Sequence, residues 1–108
     1  MFTVLTYKQT KNNMKNQRPL FEIANEIIAD FKREFNQAMA AGKKAKHWRQ
    51  KYVHALAYVE PMLSLNTIND NYGFDSGRSV VIYALSNLTT WKGEKAREIK
   101  KELNAMLK

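Results

Sequence analysis

There is no cysteine in these 108 residues. Disulfides, thiol nucleophiles and thiolate metal sites are therefore excluded together. Histidine is scarce as well. His47 and His54 are the two present. Spaced two helical turns apart, they sit about 10 Å from each other. That is too far for one metal, whose helical ligands lie a single turn apart, as in His-Glu-x-x-His. Each reads as a surface or boundary histidine. No apolar run reaches the roughly 18 residues that a bilayer span needs. The opening "MFTVLTYKQTKNN" lacks the order of a signal peptide, since its short apolar part precedes its charges. A cytoplasmic location in a bacterial cell, with no membrane partner, is the expectation.

Motifs of chemistry are missing too. The nucleophile elbow Gly-x-Ser-x-Gly and the P-loop Gly-x-x-x-x-Gly-Lys-Ser/Thr do not occur. "NDNYGFDSG" has the composition of a calcium loop. Counted from Asn69, however, the required glycine position holds Phe74 and the bidentate glutamate position holds Val80. No acids have the spacing of a two-carboxylate site. The expectation is a non-enzymatic protein with no cofactor and no metal.

Glycine and proline are few, at four and two, and they divide the chain at identifiable places. Residues 1–18 read as a flexible basic arm. They carry Lys8, Lys11, Lys15 and Arg18 and no acid. "FTVLTY" within them suits a short strand without a partner, and Met14 is a second candidate start. Pro19 then opens a helix, as the first turn tolerates it. Leu20, Ala24, Ile27, Ile28, Phe31, Phe35 and Ala38 form an apolar stripe along this helix, and Gly42 ends it. A second helix begins near Lys44 with Trp48, Tyr52, Ala55, Leu56 and Val59 on one face. Pro61 disturbs it; a kink that leaves Met62 and Leu63 on the same face is favoured over a break. Residues 66–77 are a loop by composition. Residues 79–88 read as a third helix with Val81, Ala84, Leu85 and Leu88 inward, although the β-branched start also suits a strand. A last helix runs from about Trp91 to Leu107, burying Ala96, Ile99, Leu103 and Met106. The fold class is all-α: a small bundle of about four helices in one domain, 19–108, behind the arm.

"DSGRSVVIYALSNLTTW", residues 75–91, raises the question whether Ser76 or Ser79 is a nucleophile. The pattern explains a helix start better, with Asp75 or Ser76 as the N-cap. A residual alternative is an anion site at that N-terminus, formed by Ser76 and Arg78.

Charge is the main positive signal. Lys and Arg number 18 against 10 Asp and Glu, a formal +8. That excess favours polyanions: nucleic acid, acidic protein surfaces or headgroups. It concentrates in "GKKAKHWRQK", residues 42–51, where Lys43, Lys44, Lys46, Arg49 and Lys51 surround His47 and Trp48. Cations at a helix N-terminus oppose its dipole, so stability alone does not account for them. These five residues, helped by Lys8, Lys11 and Lys15, are the candidate nucleic-acid-binding set. No helix-turn-helix, RNP or zinc-finger motif accompanies them, which points to sequence-tolerant phosphate contact.

From "ALAYVEPMLSLNTINDNYGFDSGRSVV" to "TTWKGEKAREIKKEL" the chain resembles a group of uncharacterised small proteins encoded by bacteriophages and other bacterial mobile elements. The resemblance implies a phage or mobile-element origin, no catalytic residues and two roles. One is binding nucleic acid or a nucleoprotein complex. The other is inhibiting a host defence complex through protein contact, in the manner of an anti-CRISPR factor. A third class, from the residues themselves, is a self-assembling accessory protein, such as a homodimer, with Phe2, Met62 and Trp91 at a subunit contact. The arm has no periodic apolar face. A chain beginning at Met14 should therefore melt within a few degrees of the full chain; a larger loss would mean that "FTVLTY" packs on the bundle.

Overall fold

The computed structural model describes residues 17–108, and the first 16, with Phe2, Lys8, Lys11 and Lys15 among them, lie outside the described residues. The described chain is all-α. Helix α1 (Leu20–Ala40) is followed by α2 (Ala45–Val59), a 3₁₀ turn (Glu60–Ser64), a two-by-two-residue hairpin of β1 (Asn71–Tyr72) and β2 (Asp75–Ser76), α3 (Gly77–Ser86) and α4 (Glu94–Met106). Helix α1 packs against α2, the 3₁₀ turn and α4, while α3 packs on α2 and α4.

The apolar stripes meet where helical spacing puts them. Leu20, Ile23, Ala24, Ile27 and Phe31 of α1, Tyr52, Ala55 and Val59 of α2, and Ala96, Ile99, Leu103 and Met106 of α4 are buried. Phe31 stacks on Tyr52 with centroids 4.4 Å apart and meets Trp91 edge-on at 5.7 Å. Trp91 and Met62 are core residues, 1% and 0% exposed. This corrects the reading of them as subunit-contact residues: their apolar surface is already covered within one chain.

Helix α1 ends in a Schellman motif. Lys43 N–H donates to the Ala38 carbonyl and Gly42 N–H to that of Met39. Gly42 takes the left-handed φ of +81° that this closure needs. Because the turn is short, α2 folds straight back along the C-terminal half of α1.

The kinked, continuing α-helix that the sequence favours at Pro61 does not form. The α-helix tightens into 3₁₀ geometry at Glu60 with the proline in its first turn. Three residues per turn rotate the face: Met62 stays in the core while Leu63 is left exposed. The segment 79–88 is helical from Gly77 to Ser86, which removes the strand alternative. Its β-branched residues Val80 and Val81 are buried against the other helices. Helix α4 starts at Glu94, later than the apolar pattern suggests, because Gly93 at φ +113° separates it from Trp91.

The connection 65–70 joins two helix starts. The carbonyls of Asn66 and Leu65 accept from the N–H groups of Leu20 and Phe21, at 2.9 Å each, and cap α1. Those of Asp70 and Ile68 accept from Gly77 and Arg78 and cap α3. The Asp70 carboxylate in turn accepts from the N–H groups of Asn66 and Thr67, and these two bonds hold it below the usual carboxylate range. The close approach depends on Gly77, where a Cβ would stand 2.7 Å from the Thr67 carbonyl oxygen and 2.9 Å from Ile68 Cα.

Arg18, the last residue of the stretch read as an arm, is fixed on the bundle. It reaches Glu22, Glu26 and Glu102 at 3.1, 2.6 and 2.8 Å and ties the entry of α1 to α4.

Backbone cannot yield as a side-chain tip can. Gly77→Ala should therefore destabilise the fold by about 3 kcal/mol, at the upper end of typical overpacking costs. Thermal melting checks this, and an unchanged melting temperature would mean that the 65–70 crossing is loose.

Candidate nucleic-acid interface

The α1–α2 turn decides which residues meet. It lays Arg33, Glu34, Gln37, Ala38 and Ala41 beside Lys43, Lys44, His47, Trp48, Lys51 and Tyr52, and the groove between the two helices has a volume of about 540 Å³. Four Lys or Arg residues line it against one carboxylate. That carboxylate, Glu34, accepts the Tyr52 hydroxyl proton and lies 3.9 Å from Lys51 Nζ. Tyr52 is held well above the ordinary phenol range by burial and by the neighbouring Glu34, so its hydroxyl stays a neutral donor. Lys51 also lies over the Tyr52 ring, 5.1 Å from its centroid. Lys43 and Lys44 have no ion-pair partner among the described residues.

Trp48 is the wall of this groove. Its indole N–H donates across the helix pair to the Phe31 carbonyl at 3.1 Å. Its ring meets Phe35 edge-on at 5.0 Å and Tyr52 at 5.5 Å. A second cleft of about 290 Å³, lined by Lys32, Phe35, Trp48 and Arg49, lies against the same ring.

The basic cluster thus divides. Lys43, Lys44 and Lys51 enter the larger groove and Arg49 the smaller cleft. Lys46 lines neither; it stands about 160° around the helix from Trp48 and is exposed. Lys32 and Arg33 were absent from the sequence-derived set. The signal for them was the short turn after Gly42, which makes the residues before it antiparallel neighbours of those after it.

Helix α2 begins with no side-chain cap and no acid in its first turn, and Lys44 is at its N-cap position. His47 and His54 are both exposed. Among the described residues, no three His, Asp or Glu side chains come together as metal ligands.

The Ser76 region is organised for folding. Ser76 Oγ accepts from Ser79 N–H at 3.1 Å and is the N-cap of α3. The N–H groups of Gly77 and Arg78 are already bonded to the 65–70 connection. The Arg78 guanidinium donates to the Leu107 carbonyl at 2.8 Å. The first-turn donors that an anion would need are therefore engaged within the chain.

Compared with known protein families, with curated proteins and with solved structures, the chain matches none. No helix of the described residues is long and apolar enough to cross a membrane.

Arg33, at the groove rim, is placed by Asp30. Its Nε donates to Asp30 Oδ1 at 2.9 Å, and Trp91 Nε1 donates to Oδ2 at 2.8 Å. Burial pushes the Asp30 carboxyl up, but these two bonds outweigh it and hold the group below the usual range. A carboxyl with a lowered folded pKa stabilises the fold fully above its unfolded value, about 3.9. That contribution is lost as pH falls through the folded value. Asp30→Asn should lower the melting temperature at about pH 7 and make the acid side of the stability profile shallower. An acid limb as steep as that of the wild type would mean that Asp30 titrates as an ordinary surface carboxyl.

Proposed function

We propose that this is a non-enzymatic basic module that binds nucleic acid, alone or within a nucleoprotein complex, through the α1–α2 groove. The observation that carries the reading is the set of cations at that groove. Lys43, Lys44, Lys51 and Arg33 converge on one concavity, and two of them lack a counter-charge among the described residues. Phosphates supply that counter-charge, and their neutralisation provides most sequence-independent affinity. No lining set matches a base-reading motif, so binding is sequence-tolerant. The proposed setting is the cytoplasm of a bacterial host of a phage or mobile element, on the strength of the sequence resemblance alone.

A second reading, a factor that binds a host protein complex, has one observation in its favour. Phe74 is fully exposed at the hairpin tip, with Tyr72 beside it at 44%.

Salt titration of binding distinguishes the two. Wild type should lose affinity steeply with salt. Replacing Lys43, Lys44 and Lys51 together by Gln should reduce the log–log slope by about 2, near 0.7 for each single-strand phosphate contact. Lys46→Gln should leave the slope close to that of wild type. Absence of binding at low salt would end the nucleic-acid reading and leave the protein-partner reading in front.

A further inference from the structure

We infer that the ligand of this surface is single-stranded, and that the cleft on the far side of Trp48 is a nucleobase-stacking subsite. The inference rests on the nucleic-acid reading above and adds the part of the strand that reaches beyond its phosphates.

One aromatic ring separates two basic concavities. On one side stand Lys43, Lys44 and Lys51, on the other Lys32 and Arg49. The smaller cleft has Phe35 and Trp48 as its aromatic walls, and no acid lines it. Lys32 and Arg49 are exposed and have no ion-pair partner among the described residues. A strand crossing Trp48 would meet cations before and after the ring and an aromatic surface between them. That is the arrangement by which single strands are bound without sequence preference: a positive path for the backbone and a flat ring for a base. A duplex keeps its bases stacked inside and cannot use such a wall. The ring is also held in place before any ligand arrives, through the Phe31 carbonyl and the edge contacts with Phe35 and Tyr52. Little rotamer freedom then remains to be lost when a base stacks on it.

The test compares three probes at one salt concentration by fluorescence anisotropy: an oligothymidylate, an abasic strand of the same length and charge, and a duplex. The oligothymidylate should bind about 10-fold or more tightly than the abasic strand, as base–aromatic stacking implies, and more tightly than the duplex. It should quench tryptophan emission, a signal that reads Trp48 because Trp91 is 1% exposed. Replacing Trp48 by Leu should remove both the quenching and the preference for bases. Because Trp48 also packs against the core, Lys32→Gln with Arg49→Gln provides a second variant on exposed residues. It should weaken oligothymidylate binding several-fold at an unchanged melting temperature. Equal affinity for the oligothymidylate and the abasic strand would overturn the subsite while leaving the phosphate-binding groove standing. So would duplex binding as tight as single-strand binding. No binding of any probe would overturn both.

Discussion

The fold depends on a backbone crossing. Between Leu65 and Asp70 the chain offers four carbonyls to the free N–H groups at two helix starts, α1 on one side and α3 on the other. Helix starts need such partners because their first N–H groups have none within the helix. Pro19, at the N-cap position of α1, supplies no side-chain cap, so tertiary carbonyls take that role. Gly77 allows the approach, since any Cβ there would meet backbone. One short segment thereby sets the position of α1 relative to α3, and through packing on α1 and α3 it also sets α2 and α4.

The candidate site is a consequence of that frame and of one further turn. Gly42 closes α1 and reverses the chain within a few residues. The C-terminal half of α1 and the basic start of α2 become the two walls of one groove. Trp48 fastens the walls together from inside, its N–H on the Phe31 carbonyl and its ring against Phe35. The same side chain is thus both a packing element and the surface between the two basic clefts. One aromatic ring thereby lines both the groove and the smaller cleft.

Much of this was legible in the residues, where the signal was local. The 3.6-residue stripe of α4 predicts its buried face residue by residue, while that of α1 finds Leu20, Ala24, Ile27 and Phe31, misses the buried Ile23 and includes the half-buried Ile28, Phe35 and Ala38. Gly42 predicts the end of α1, and the pair Asp75 or Ser76 the cap of α3, which is Ser76. What was not legible depends on partners far along the chain. The helix read over 79–88 is the one that forms, but its local residues left a strand open, because Val80 and Val81 suit one by propensity and only burial by the other helices decides. Arg18 looked like part of a charged arm because Glu102, which holds it, is 84 positions away. Trp91 and Met62 looked like spare apolar residues because their covering neighbours come from other elements. For the site, the five-cation cluster was visible as composition. Its division into groove, cleft and outward-facing Lys46 required the helix pair, as did the contribution of Lys32 and Arg33.

The start of α2 is where local stability and the rest of the design disagree. Each of the other three α-helix starts has either an acid or a cap: Glu22 lies in the first turn of α1 and Glu94 in that of α4, and Ser76 caps α3. At α2 there is no cap and no acid, and Lys44 and Lys46 crowd the positive end of the dipole. Each misplaced cation costs about 0.3–1 kcal/mol where it is exposed. A protein with a stability margin of roughly 5–15 kcal/mol can carry such a cost but does not gain from it. Departures from local consistency concentrate where a sequence serves something other than its own folding. A bound polyanion reverses the sign of this local cost. Phosphates beside Lys43 and Lys44 would lie at the N-terminus of α2, where the dipole and the cations both favour negative charge. The charges that weaken the free helix are those that would strengthen it in the complex.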